Sequence, residues 1–208
     1  MSEALTVPEL PFPVAASQPG VWRRDGDRAA VVADAPAHTD LYLNPGGDGA
    51  DDAESMLNAA TLLGSPPAGD FQLSARVTVD FQAQYDAGVL LLWADDRHWA
   101  KFCFELSPAA EPMVVSVVTR EVSDDANAFV VGGRSVWLRV ARIDGVYAYH
   151  ASTDAKTWTL VRVFRLGPPL ATHRIGFEAQ SPTGEGCTVT FDDLQFTGRR
   201  LADLRDGS

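Results

Sequence analysis

Two glutamates in strand-like segments, Glu105 and Glu178, are the first candidates for acid–base chemistry. Glycoside hydrolysis needs a pair of carboxyl groups flanking the bond that breaks. The sequence has no Glu-x-Asp-x-Glu run that would supply the pair from one strand. The two glutamates would therefore have to converge from separate strands, one as acid and one as base. The alternative is structural, with Glu105 pairing with Lys101 or Arg139 and ordering the sheet.

His150 is the best single acid–base candidate, because an imidazole changes charge near neutral pH. Lys101 joins it as a candidate catalytic group. The sequence contains no HExxH, no Cys/His zinc pattern, no P-loop and no GxSxG. It therefore favours neither phosphoryl transfer nor serine-hydrolase chemistry, and it predicts no cofactor and no metal requirement.

Two tryptophans, Trp99 and Trp137, are candidate stacking platforms for a sugar ring or another flat ligand. Arg139, Gln180 and the titratable groups above would supply directional hydrogen bonds around such a ligand. The competing interpretation is that these indoles pack beneath a loop as part of the core.

The run NPGGDGADDAE, residues 44–54, is a long acidic loop. Carboxylate oxygens are the ligands that Ca²⁺ prefers. The spacing of these carboxylates does not fit an EF-hand, so a solvated loop is the favoured interpretation over a calcium site. The acidic residues concerned are Asp48, Asp51, Asp52 and Glu54.

The elements that must position these groups are strands, because apolar and polar residues alternate through most of the chain. In residues 71–80, for example, every second residue is apolar, which is the period of a half-buried strand. About a dozen such segments, separated by turn residues, are typical of an all-β sandwich or barrel.

One predicted hairpin turns at Asp144-Gly145, a pair suited to the positive φ angles of a type I′ turn. This turn places Ile143 opposite Val146 and Arg139 opposite His150. Cross-strand partners share a face, so Trp137, Arg139 and His150 are expected together, opposite an apolar face containing Leu138, Val140 and Tyr149.

A second predicted hairpin turns around Asp95-Asp96 and sets Trp93 opposite His98 and Leu92 opposite Trp99. Alternation along the following strand directs Phe102 and Phe104 into the core. Its other side chains, Trp99, Lys101, Cys103 and Glu105, are expected beside Leu90 and Leu92 on a partly charged face. We expect this face and the one bearing Trp137 to contribute to one concave groove.

The charge balance of the 208 residues, 17 Lys+Arg against 28 Asp+Glu, gives a net charge of −11. An acidic surface repels phosphate backbones and anionic lipids, so neither nucleic acid nor a membrane is a predicted partner. The start of the sequence lacks the basic and apolar regions of a signal peptide. Cys103 and Cys187 lie in strand-like segments and are expected to be buried free thiols, which favours a cytoplasmic location. The oligomeric state is left open.

Several short motifs occur in one order along the chain, and residues 20–198 resemble an uncharacterised family through them. The motifs are Tyr85-Asp86-Ala87-Gly88, Trp99-x-Lys101-x-x-x-Glu105, Val117-Val118-Thr119, Ser123-Asp124, Ser152-x-Asp154-x-x-x-Trp158 and GFEAQSP at 176–182. The family is a concanavalin A-like domain of unknown function named for regulation of enolase. The resemblance implies an all-β, concanavalin A-like jelly-roll sandwich of two antiparallel sheets with a concave face that in related lectins binds sugars. This chain departs from the family pattern at Asp125, where the family often has Trp.

We therefore expect one sandwich domain over residues 20–198, preceded by an extended arm (1–19) and followed by a polar tail (199–208). The predicted function is binding of a carbohydrate or similar polar small molecule on the concave face, without a metal. One alternative is a hydrolase, lyase or isomerase using Glu105, Glu178, His150 or Lys101. Another is a protein-interaction module that regulates a metabolic enzyme.

Overall fold

The protein was analysed as a computed structural model that describes residues 3–46 and 54–208. Within these residues the chain forms strands and a single turn of 3-10 helix (Leu170–Thr172). The strands are β1 (Glu3–Leu5), β2 (Val14–Ala16), β3 (Trp22–Asp25), β4 (Ala30–Ala35), β5 (Leu41–Tyr42), β6 (Met56–Leu57), β7 (Ala60–Gly64), β8 (Phe71–Asp80), β9 (Ala87–Asp95), β10 (His98–Leu106), β11 (Pro112–Arg120), β12 (Val122–Val130), β13 (Ser135–Ile143), β14 (Val146–Ser152), β15 (Thr159–Phe164), β16 (Arg174–Gln180) and β17 (Cys187–Thr197).

The described part of the chain folds into two large antiparallel sheets, which pack face to face as a sandwich. Sheet A has the strand order β1-β2-β7-β16-β9-β10-β11-β12, and sheet B the order β15-β14-β13-β8-β17-β4-β3. The short pair β5–β6 forms a separate ribbon. This architecture confirms the predicted all-β sandwich.

The space between the sheets is filled by the apolar members of each alternating pattern. Along β8, Phe71, Leu73 and the next three alternate residues are buried, while the residues between them are not. Phe102 and Phe104 also lie in this core, as predicted, and the Phe102 ring stacks on Tyr149 at 4.5 Å between centroids. Burial of large side chains on both inner faces provides the main driving force for the fold.

The β13–β14 hairpin has the predicted register. Ile143 pairs with Val146, and Arg139 pairs with His150. The turn residues Asp144 and Gly145 have φ angles of 49° and 77°, as a type I′ turn requires. The sequence prediction for this hairpin is confirmed, including the face that its polar residues share.

The β9–β10 hairpin differs from its prediction by one residue. A bulge leaves Ala94 without a partner, so Trp93 pairs with Trp99 and Leu92 pairs with Ala100. Leu90 and Leu92 therefore point into the core instead of sharing the face of Lys101. A bulge inserts an extra residue into one strand and shifts all pairs beyond it, which alternation within β10 alone does not reveal.

The predicted irregular arm instead contributes β1 and β2, which extend sheet A beyond β7. At the other end of the chain, Leu201 is buried and residues 199–208 lie against sheet B. In the described residues, no helix is long and apolar enough to span a bilayer.

Candidate functional site

A cap segment, residues 39–46 and 54–59, lies over the outer face of sheet A. The Leu43 amide donates to Ser123 Oγ at 2.9 Å, and the Ser123 amide donates to the Leu43 carbonyl at 2.8 Å. Beside the cap is a groove of about 550 Å³. It is lined by Asp40, Tyr42, Glu54, Met56, Tyr85, Lys101, Glu105, Pro108, Met113, Val117, Asp125, Asn127, Gln180, Pro182 and Thr183.

Lys101 projects from the middle of β10 and is almost fully buried. Its ammonium donates to Asp40 Oδ1 at 2.7 Å and to Gln180 Oε1 at 3.0 Å. Burial alone would lower the pKa of Lys101, but Asp40 and the neighbouring carboxyls raise it above its ordinary value. The group is therefore a fixed cation at neutral pH, which argues against Lys101 as a nucleophile or general base.

Glu105 lies four residues beyond Lys101 on β10, on the same face and in the same cross-strand row as Ala87 and Gln180. Ala87 has a small side chain, which leaves space between the carboxyl and the amide. Burial raises the pKa of Glu105 to about 8, with Lys101 opposing the shift and Asp125 adding to it. At neutral pH this carboxyl is therefore largely protonated.

Glu178 is fully buried on β16, two residues before Gln180 and on the same face of the sheet. Neither of its carboxyl oxygens has a hydrogen-bond partner among the described residues. Burial raises its pKa to about 8, opposed by Lys101 and reinforced by Asp40. The structure thus places Lys101, Glu105, Glu178 and Gln180 on one face of sheet A; of these, Lys101 and Glu105 were predicted together from the alternation along β10.

Trp99 shares this face, but its side chain is completely buried. It packs in an apolar cluster with Leu41 and Leu43 of the cap, and Lys101 Nζ lies 5.9 Å from its ring centroid. The competing interpretation, an indole beneath a loop, therefore describes its environment. An indole with no exposed surface has no face left for stacking on a ligand.

Tyr85 is the aromatic residue that sequence reasoning missed. It lines the groove with 37 % of its surface exposed. Its φ of 67° lies in the left-handed region, which is unfavourable for a bulky residue. Asp86 holds this turn, because its carboxylate accepts from the amides of Gln82 and Ala83 at 2.7 and 2.9 Å. The run Tyr85-Asp86-Ala87-Gly88 could have indicated this turn and its exposed ring. In the sequence analysis it served only as a motif of the family resemblance.

Trp137, Arg139 and His150 do not reach this groove, so the expectation of one shared site was wrong. Their strands belong to sheet B, and these side chains lie on its outer face. The face that they share was predicted correctly, but two sheets in a sandwich have separate outer faces. The error came from treating both partly charged faces as one.

The polar groups on this outer face of sheet B bind the chain's own tail. Arg139 donates to the Gly207 carbonyl at 2.6 Å, and its guanidinium lies 4.1 Å from the ring centroid of Trp158. His150 Nε2 donates to the Leu204 carbonyl at 2.8 Å. Burial lowers the pKa of Arg139 to about 10 and lowers that of His150 below its ordinary value. A neutral, buried imidazole bound to a carbonyl is a structural histidine.

The predicted acidic loop falls mostly outside the described residues, including Asp48, Asp51 and Asp52. Glu54 is described and lines the groove. Within the described residues, no group of three or more His, Cys, Asp or Glu side chains is arranged to hold a metal ion.

The fold and groove define a β-sandwich protein with a cleft of charged, amide and apolar side chains on the outer face of one sheet, beside a cap. A family model described as "Protein of unknown function (DUF1349)" matches residues 16–199, and this chain belongs to that family. The chain is 37 % identical over 150 residues to "Regulation of enolase protein 1" from Saccharomyces cerevisiae, covering 69 % of this chain and 73 % of that protein.

Solved structures share the fold. A functionally unknown protein from Saccharomyces cerevisiae has a TM-score of 0.74 at 26 % identity, covering 96 % of this chain and 97 % of that one. A GH43 protein, BlXynB from Bacillus licheniformis, gives 0.71 at 10 % identity, and the match spans 90 % of this chain but only 37 % of the other. The carbohydrate-binding module CBM66 from Bacillus subtilis gives 0.53 at 9 % identity, covering 88 % and 94 %.

Proposed function

We propose that this protein binds a carbohydrate or a similar hydroxyl-rich small molecule in the groove on sheet A. The observation that carries the proposal is the groove itself: about 550 Å³ bordered by an exposed tyrosine ring and by fixed polar groups. This volume is within the range of small-molecule sites, about 300–1,000 Å³. The same fold occurs in a carbohydrate-binding module, which supports the ligand class.

The polar groups of the groove are positioned before a ligand arrives. Gln180 accepts from Lys101 and donates to the Tyr85 carbonyl at 3.1 Å, so its amide is fixed at both ends. Fixed donors and acceptors reduce the ordering cost of binding. Tyr85 presents the stacking surface, the role that the sequence had suggested for Trp99 and Trp137.

Catalysis at this site is a weaker candidate function than ligand binding. A retaining or inverting glycosidase needs one protonated and one ionised carboxyl. Glu105 and Glu178 both have pKa values of about 8, so the pair is largely protonated at neutral pH. His150, the other predicted acid–base group, lies on sheet B.

The proposal includes a concanavalin A-like jelly-roll topology for the sandwich. It also includes a cytoplasmic location, where the domain would bind a soluble metabolite. Two buried free cysteines, Cys103 and Cys187, are compatible with a reducing compartment. The name of the yeast relative adds regulation of a metabolic enzyme as a consequence of binding, with a protein partner as the alternative to a sugar.

The test is the ligand-induced shift in melting temperature across a panel of neutral pentoses, hexoses and their β-linked oligosaccharides. The parent is compared with Tyr85→Ala and with Trp137→Ala, which removes the indole on the opposite sheet. We expect a concentration-dependent shift in the parent and in Trp137→Ala, and its loss in Tyr85→Ala. No shift with any sugar, or a shift that Tyr85→Ala retains, would refute the proposal.

A further inference from the structure

The outer face of sheet B holds a second cavity, smaller than the groove on sheet A. Its volume is about 160 Å³, which is the space of about five water molecules at ~30 Å³ each. A cavity of this size admits a molecule of about that many non-hydrogen atoms. Its lining combines two indoles, one guanidinium and several short polar side chains: Gln72, Ser74, Trp137, Arg139, Ala155, Trp158, Asp193, Gln195 and Thr197.

Arg139 is the basic residue among the described residues that line this cavity, and only 7 % of its surface is exposed. Buried charges are otherwise paired with an opposite charge. Burial lowers the pKa of Arg139, and no carboxylate among the described residues opposes that shift. Its Nε also has no hydrogen-bond partner in the described part of the chain. The guanidinium therefore keeps a positive charge and a donor that its surroundings leave unused.

The tail and the cavity lie on different sides of Arg139. Arg139 pairs with His150 of β14 on one side and with Ser74 of β8 on the other. The Gly207 carbonyl that Arg139 binds is on the His150 side, since a Cβ at Gly207 would lie 3.1 Å from that imidazole. Ser74 lines the cavity, whereas His150 does not. A ligand in the cavity therefore meets Arg139 without displacing the tail.

The remaining polar groups of the lining come mainly from two neighbouring strands. β8 supplies Gln72 and Ser74, and β17 supplies Gln195 and Thr197. Ser74 pairs with both Arg139 and Gln195, so the three form one cross-strand row. Hydroxyl and amide groups both donate and accept hydrogen bonds. They can therefore bind the second oxygen of an anionic group and a hydroxyl beside it.

Asp193 limits the charge that a ligand of this cavity can carry. Its carboxylate accepts from Trp137 Nε1 at 2.8 Å and from Gln195 Nε2 at 3.4 Å. A monoanion would gain the charge of Arg139, whereas the second charge of a dianion such as sulfate would meet only repulsion from Asp193. The planar fork of a guanidinium also matches a planar carboxylate. These features favour a single carboxylate group.

We propose that this cavity binds a small hydroxylated monocarboxylate, with its carboxylate against Arg139 and its carbon chain against Trp137 and Trp158. Hydrogen bonds from a guanidinium to a carboxylate are shorter and stronger than those to a neutral acceptor. The ligand thus supplies the counter-charge that Arg139 lacks. The site goes beyond the proposed function, because it lies on the sheet opposite the groove and takes a different class of ligand.

The experiment is isothermal titration of the full chain at pH 7 and constant ionic strength with lactate, lactamide and sulfate. Lactamide replaces the carboxylate of lactate with a neutral amide. Lactate should bind more than about tenfold more tightly than either, because losing one member of a buried charge pair costs more than the free energy of a tenfold change. Arg139→Gln should weaken lactate binding by a similar factor. Arg134→Gln, an exposed arginine paired with Asp80, should leave it unchanged.

A second variant keeps the test decisive if Arg139→Gln does not fold. Gln195 is exposed and lines the cavity, and its side chain donates to Asp193. Gln195→Glu adds a carboxylate to the lining with almost no change of shape. It should weaken lactate binding by repulsion and leave the melting temperature of the free protein unchanged.

Several results would overturn the inference: no binding of lactate, equal binding of lactate and lactamide, or tighter binding of sulfate than of lactate. Undiminished lactate binding by Gln195→Glu, or by folded Arg139→Gln, would overturn it as well. Tyr85→Ala separates the two proposals, because it should lose the sugar response of the groove and keep lactate binding. Loss of lactate binding in Tyr85→Ala would place the carboxylate in the groove and would also contradict the inference.

Discussion

The two outer faces of the sandwich carry similar residue types but use them differently. On sheet A, Lys101 and Glu105 line a groove, and the buried Glu178 on the same face has no hydrogen-bond partner among the described residues. On sheet B, Arg139 and His150 are occupied by carbonyls of the chain's own tail. The comparison teaches that a charged row on a strand stays open to solvent only where other segments of the same chain leave part of it uncovered.

The largest expected effect separates the two indoles. Trp99→Ala should lower the free energy of unfolding by about 3–5 kcal/mol, the range for emptying a large buried site. Trp137→Ala should cost about 1 kcal/mol, because this partly exposed indole mainly loses one hydrogen bond, to Asp193 at 2.8 Å. Urea denaturation measures both; equal losses would show that the two faces are packed alike.

Glu178→Gln should remove the pH dependence of folding stability that this buried carboxyl causes. The pKa of Glu178 is raised to about 8 in the folded protein, so the folded state holds a proton that the unfolded state releases near pH 4.5. The buried carboxyl therefore does not lower the free energy of unfolding below about pH 4.5. Its destabilising effect grows as the pH rises from there through 8.

At pH 9 the Glu178→Gln variant should accordingly be more stable than the parent by up to about 5 kcal/mol, since the pKa rises from 4.5 to about 8 at about 1.4 kcal/mol per pKa unit. At pH 5 the difference should shrink to less than about 1 kcal/mol. Melting curves between pH 5 and 9 give the comparison, with Glu111→Gln as the exposed control. A parallel pH profile for parent and variant would show that Glu178 ionises normally.

Gly207→Ala tests how the C-terminal tail, residues 199–208, packs on the outer face of sheet B. Gly207 has φ +76°, and an added Cβ would meet Arg139 and the ring of His150. We expect a loss of about 1–2 kcal/mol from strain and from a displaced tail. The sugar response of the groove should be unchanged. Loss of that response would mean that the two faces are coupled.

The smallest expected effect belongs to His150. Burial lowers its pKa, so the folded state binds the proton less tightly than the unfolded state. The stability from its neutral form is present above about pH 6.5 and is lost as pH falls. His150→Gln should flatten the stability profile between pH 5 and 7, because the variant has no imidazole to protonate. An unchanged slope would show that the imidazole titrates freely.

Local rules predicted the fold well because alternation and turn chemistry act over short distances. The Asp144-Gly145 turn set the register of Arg139 and His150, and alternation placed Phe102 in the core. The same rules failed at Ala94, where a bulge shifted the β9–β10 register. They also failed for the first residues, whose short strands depend on pairing with β7.

The site was only partly predictable, since its walls come from distant parts of the chain. Lys101, Glu105, Glu178 and Gln180 were found from residue type and strand face. Asp40 was not, because its partner Lys101 is 61 residues away and they meet only through the cap.

Trp99 was misjudged for the same reason, since the cap that buries it is remote in sequence. Tyr85 was missed because its exposure follows from a left-handed turn that Asp86 stabilises. Neither the cap nor the turn has the alternation of apolar and polar residues from which the strands were predicted.

Amide chemical-shift mapping with the sugar that gives the largest shift in melting temperature is the most direct test of the proposed binding site on sheet A. We predict that perturbed resonances cluster on sheet A and its cap, at Tyr85, Lys101, Glu105 and Gln180, while Arg139 and Gly207 on sheet B stay unchanged. Perturbations centred on Arg139 and Gly207 would contradict the account, because the ligand would then compete with the tail and not fill the groove.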